Sequence, residues 1–126
     1  MTGSRADRKF LRKVIKFPLR LRVISGAQCP SGEVPGIAGT ATSFSVGGIG
    51  FETVLPLAVR DFVQIAFILP GETRQLLIEA TVQSVRATER KKSGSALKNV
   101  GVKFRNLTPQ ISVYLTNYMS GTFLLY

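Results

Sequence analysis

The feature that most constrains this fold is a two-residue hydrophobic period, repeated in short runs and broken by glycine and proline. Directly after Pro18, Leu19, Leu21 and Val23 alternate with Arg20, Arg22 and Ile24. Residues two apart share one face of a strand, so this run reads as a half-buried strand. Val100, Val102 and Phe104 repeat the pattern within residues 97–105. Between these two runs, residues 37–45, 49–54, the strongly apolar 61–69 and the long run 75–89 also read as strands. In the long run, Leu76, Ile78, Ala80 and Val82 hold one parity, while Leu77, Thr81, Gln83 and Val85 hold the other. A bulge or sharp bend near Val82 explains the change of buried parity. Residues 26–36 form a Gly/Pro/Ser-rich loop, Gly47-Gly48 a turn or bulge, Pro70-Gly71 a break, and residues 91–95 a hairpin tip.

A helix follows. Thr108-Pro109 is a cap and first-turn pair, and Ile111, Leu115, Tyr118 and Met119 recur at helical spacing. Gly121 is the expected stop. Residues 122–126 are apolar and either pack back on the domain or form a dimer patch. The expected fold is mainly β: a six-stranded antiparallel β-barrel with a C-terminal α-helix. Spacing alone equally allows a Greek-key sandwich. Residues 1–17 are basic, with Phe10, Leu11, Val14, Ile15 and Phe17 as apolar anchors. They read as a flexible basic arm leading into a folded domain at 18–126.

At 126 residues the chain is one domain. No apolar run approaches the ~20 residues of a membrane span, and no secretory signal is evident. Cys29 is the one cysteine, which excludes an intramolecular disulfide and fits a cytoplasmic protein. The chain has no histidine, and its seven acidic residues are scattered singly. Metal sites and acid–base triads thus lose their commonest member, and the chain reads as a non-enzyme needing no cofactor. The net charge of +10 is concentrated in two places. Arg5, Arg8, Lys9, Arg12, Lys13, Lys16, Arg20 and Arg22 form one group; Arg86, Arg90, Lys91, Lys92, Lys98, Lys103 and Arg105 form the other. Such clusters steer anions toward the surface, although a solvated basic face is the plainer reading of the second.

Two separated pieces sharpen the choice of anion. Arg8-Lys9-Phe10-Leu11-Arg12 places two arginines four apart. A guanidinium presents a planar fork that grips phosphate or the O6/N7 edge of guanine. Ser43-Phe44-Ser45-Val46-Gly47-Gly48-Ile49-Gly50-Phe51 offers hydroxyls, backbone N–H groups and close approach. Together they suit a small anion carrying both phosphate and purine.

This pairing resembles the PilZ domain family, bacterial receptors for cyclic di-GMP. The family pattern is Arg, three residues, Arg, followed by Asp or Asn, any residue, Ser, two residues, Gly. Arg8 and Arg12 match the first motif; Ser45 and Gly48 match the second. Ser43 stands where the family has Asp or Asn, and Val100-Gly101-Val102-Lys103-Phe104 looks like the family's last strand. The resemblance implies cyclic di-GMP binding by Arg8, Lys9, Arg12, Ser43, Ser45, Gly47 and Gly48. Arg86, on a neighbouring strand, is a further candidate whose guanidinium plane can stack on a base, with an exposed structural role as its plainer reading. A neutral serine gives up a charge-assisted bond of roughly 1.5–3 kcal/mol that a carboxylate would make to guanine. The resemblance also implies a protein partner in motility, pilus or polysaccharide machinery, with docking altered by the ligand. Two other readings are a PilZ-like adaptor that binds only protein, and a basic nucleic-acid-binding barrel with Phe44 and Phe51 as stacking aromatics.

Overall fold

The computed structural model describes residues 12–124. Its strands are β1 (Lys13–Ser25), β2 (Gly32–Glu33), β3 (Gly39–Ser45), β4 (Gly48–Thr53), β5 (Phe62–Ile68), β6 (Gln75–Lys92) and β7 (Ser95–Arg105), followed by helix α1 (Pro109–Leu124). The sheet runs β2-β1-β3-β4-β7-β6-β5, and β1 pairs again with β5. Six strands therefore close into a barrel-like ring, all neighbours antiparallel. Closure leaves few edges open to another chain. The two-residue β2 is the extra strand, pairing with Arg22 and Val23 of β1. It lies inside the stretch expected as a loop.

Strand β1 makes the closure possible by its length. Its first half pairs with β3, from Lys13↔Phe44 to Leu19↔Gly39, and its second half with β5, from Arg20↔Ala66 to Ser25↔Phe62. The strand begins at Lys13 rather than at Pro18, so residues 13–17 belong to the sheet and not to an arm. Phe17 is buried there. The alternation of faces runs on through these residues, but Lys13 shares the inward parity with Ile15 while apolar Val14 faces outward beside Lys16, so polarity does not mark the strand there. Residues 1–11, with Arg8, Lys9 and the expected flexibility, lie outside the described residues.

The alternating residues fill the ring as their period requires. Leu19, Leu21, Val23, Leu76, Ile78, Ala80, Val82, Val100, Val102 and Phe104 are all buried. Phe44 is the hub, edge-on to Phe17, Phe67 and Tyr118 with centroids 6.1–6.4 Å away. Phe17 and Phe67 stack at 5.4 Å. Phe44 and Phe51 are 0% and 1% exposed, so neither is available to stack on a nucleic acid base. Helix α1 lays Leu115 and Met119 into the core, and the Tyr118 hydroxyl donates to the Pro70 carbonyl at 3.0 Å. Thr108 caps it: its hydroxyl accepts from Ile111 N–H at 3.2 Å. Gly121 keeps helical backbone and the helix continues to Leu124, past the expected stop.

Asp61 and Cys29 sit together beneath the loops. The Asp61 carboxylate, 3% exposed, accepts from the N–H groups of Ala27 at 3.0 Å and Ala58 at 2.9 Å. Burial, and then the Asp61 charge, push the Cys29 thiol above its usual range. That makes Cys29 a poor nucleophile.

Candidate functional site

Two β-bulges build the site. On β6 the register shifts between Val82 and Ser84, at the place where the sequence parity changes. Before the bulge the even-numbered residues point inward; after it Val85 does, and Ser84 and Arg86 turn to the outer face. On β3 the register shifts between Ala41 and Ser43. Ala41 and Phe44 both point into the core, which leaves Thr42 and Ser43 together on the outside. An added residue re-aims the side chains after it, and here both insertions aim polar groups at one patch.

Between the bulges runs a row of small residues. Ser43 pairs with Gly50, Gly50 with Gly101, and Gly101 with Ser84, across β3, β4, β7 and β6. A Cβ on Gly50 would come within 2.6 Å of Ser43 Oγ, and one on Gly101 within 2.8 Å of Ser84 Oγ. The missing side chains leave a trough. Beside it lies a second row of larger polar residues, Thr40, Glu52, Asn99 and Arg86. The resulting open pocket has a volume of about 290 Å³ and is lined by Arg12, Ser43, Arg86 and Asn99, among others.

The electrostatics of the trough favour an anion. The Arg12 Nη1 group donates to Ser43 Oγ at 3.1 Å, joining the two motif halves in space. Arg86 makes no ion pair among the described residues. Glu52, the carboxylate of the second row, is paired with Arg90 from the far end of β6. The positive charge of Arg12 and Arg86 therefore faces the trough with the neighbouring negative charge already matched.

Of the eight residues expected at the site, the structure brings Arg12, Ser43 and Arg86 into this lining, and Arg8 and Lys9 lie outside the described residues. Ser45, Gly47 and Gly48 sit at the β3–β4 turn instead. Ser45 is buried and its Oγ accepts from Gly47 N–H at 3.2 Å. The Gly47 carbonyl accepts from Phe104 N–H at 2.9 Å. A Cβ on Gly48 would run into the Val102 carbonyl oxygen. These three hold the hairpin against β7. Sequence reasoning missed Thr42, Gly50, Ser84, Asn99 and Gly101 as lining residues. Glycines inside two strands were the available signal, since they mark a close approach. No group of three or more metal-ligating side chains occurs among the described residues, and no helix among them is long and apolar enough to cross a membrane.

A closed β-ring with a cationic trough across four of its strands defines a small β-domain of one recognisable class. The PilZ domain model matches residues 6–121, and the chain belongs to the PilZ domain family. Solved structures share the fold at low identity. The PilZ domain of YcgR from Escherichia coli, solved with cyclic di-GMP, has a TM-score of 0.64 and 15% identity, covering 91% of this chain and 90% of that one. The K. pneumonia MrkH–cyclic di-GMP complex has a TM-score of 0.67 and 13% identity over 93% of this chain and 52% of that one. Bacillus subtilis MotI/DgrA, an inhibitor of motility, has a TM-score of 0.65 and 16% identity over 89% of this chain and 48% of that one. The chain thus spans about half the length of MrkH and MotI/DgrA. No curated protein matches it in sequence.

Proposed function

We propose that this chain is a cyclic di-GMP receptor, not an enzyme, and that the ligand occupies the trough. The observation that carries the reading is the convergence of Arg12, Ser43 and Arg86 on one open pocket floored by Gly50 and Gly101. The guanidinium forks of Arg12 and Arg86 suit phosphate and the Hoogsteen edge of guanine. The glycine floor suits the flat face of a base. Arg8 and Lys9 precede Arg12 closely enough in sequence to reach the same ligand. Ser45, Gly47 and Gly48 contribute by fixing the hairpin that presents Ser43 and Gly50. That YcgR and MrkH relatives of this fold were solved with cyclic di-GMP supports the ligand class.

The receptor acts by changing what it docks to. Arg12 lies just before β1 and donates to Ser43, so a ligand that recruits this guanidinium replaces that contact at the entry to the sheet. A protein effector in motility, pilus or polysaccharide machinery is the partner class, and the cytoplasm the location. The similarity to an inhibitor of motility supports the first of these. Isothermal titration with cyclic di-GMP, GTP and cyclic di-AMP tests the proposal. Tightest binding of cyclic di-GMP is expected; equal or absent binding of all three overturns the receptor reading and favours a protein-only adaptor.

A further inference from the structure

Asn99 stands out among the residues that line the trough. Ser43 Oγ already accepts from Arg12, and the Thr42 hydroxyl donates to the Gly50 carbonyl. Arg86 can only donate. Asn99 carries both an acceptor and a pair of donors in one plane, and its side chain makes no hydrogen bond among the described residues. Its neighbours fix its place. Arg86 lies across from it on β6 and Glu52 across from it on β4, in the polar row beside the glycine floor. Glu52 is tied to Arg90, and the hydroxyls of Thr40 and Ser84 each offer a single atom, so Asn99 is the group there that presents an acceptor and donors on two separate atoms to a base edge.

We propose that Asn99 is a base-reading residue of the trough. The inference rests on the receptor reading above and adds a residue that neither arginine nor serine motif contains. The Asn99 carboxamide oxygen accepts guanine N1–H while its amide N–H donates to O6. Turned over, the same carboxamide accepts from adenine N6–H and donates to adenine N1. Asn99 therefore strengthens purine binding generally, and preference for guanine is left to the arginines at O6 and N7. An aspartate in its place accepts from both N1–H and N2–H of guanine, and meets only repulsion at adenine N1.

Titrations of Asn99→Leu and Asn99→Asp with cyclic di-GMP and cyclic di-AMP test this, with Lys91→Ala as a control and thermal melting as a check on folding. Asn99 is exposed at a strand surface, so both variants are expected to fold. Asn99→Leu should weaken cyclic di-GMP about tenfold, the loss of a good bidentate contact. Asn99→Asp should raise the ratio of cyclic di-GMP to cyclic di-AMP affinity by about tenfold or more relative to the native chain. An unchanged ratio in Asn99→Asp, or cyclic di-GMP binding by Asn99→Leu within about twofold of native, overturns the role of Asn99 while leaving the receptor reading intact. If the native chain binds neither nucleotide, the receptor reading fails and the assignment of Asn99 fails with it.

Discussion

At the scale of single residues, Ser43 carries the sharpest question. It sits on the outer face beside Gly50, with Arg12 3.1 Å from its hydroxyl. A serine there is short and neutral, so it accepts weakly and leaves Arg12 only lightly held. Ser43→Asp places a carboxylate at the same point, with space over Gly50 to receive it. Two effects then oppose each other. The added charge repels the ligand phosphates, and it accepts N1–H and N2–H of guanine at close range. Charge-assisted hydrogen bonds are worth more than diffuse repulsion in a screened, open site. Affinity for cyclic di-GMP should rise about tenfold, measured by titration with the fold checked by circular dichroism. A fall in affinity with the fold intact would mean that guanine does not lie over Ser43.

At the scale of the strands, three glycines do different work, and substitution separates them. Gly50 and Gly101 floor the trough, and the atoms a Cβ would meet are the hydroxyls of Ser43 and Ser84, which can rotate away. Gly50→Ala and Gly101→Ala should keep the melting temperature close to native but weaken cyclic di-GMP by about tenfold, because each methyl group fills the floor. Gly48 faces the Val102 carbonyl, which cannot rotate away. Gly48→Ala should destabilise the fold by about 1–3 kcal/mol in chemical denaturation. If all three alanines lower stability alike and none alters binding at its remaining stability, the glycine floor is not a ligand surface.

The strands also show what a sequence carries and what it does not. The alternation of Leu19, Leu21 and Val23, and of Val100, Val102 and Phe104, was legible because burial on one face writes a period of two into the chain. The β6 bulge was legible for the same reason, since its buried parity flips near Val82. The β3 bulge was not, because Thr42 and Ser43 add two adjacent polar residues to a run too short to show a flip. The start of β1 at Lys13 was hidden because Lys13 lies on the inward parity and apolar Val14 on the outward one, so polarity does not follow the pleat there. Arg12 and Ser43 were found through a motif, but Asn99 and Ser84 were not. They join the site through lateral pairing with Glu52 and Gly101, and the period of one strand does not say which residues of distant strands lie beside it.

At the scale of the whole molecule, the ring separates the trough face from the rest of the surface. The trough spans β3, β4, β7 and β6, while Arg20, Arg22, Gln64 and Gln75 line a different pocket across β1, β5 and β6. In that second pocket both arginines lie within 4.0 Å of the Glu33 carboxylate, so its charge is partly matched, unlike that of Arg12 and Arg86. The two faces share one basic charge balance, and diffuse attraction alone would draw an anion to both. A specific receptor binds on one. Backbone amide chemical shifts during a cyclic di-GMP titration decide between these cases. The account predicts shifts centred on Ser43, Gly50, Ser84, Asn99 and Gly101, persisting at raised salt, with Arg20, Arg22, Gln64 and Gln75 unmoved. Shifts centred on that second pocket, or spread over both faces and erased by salt, would contradict it.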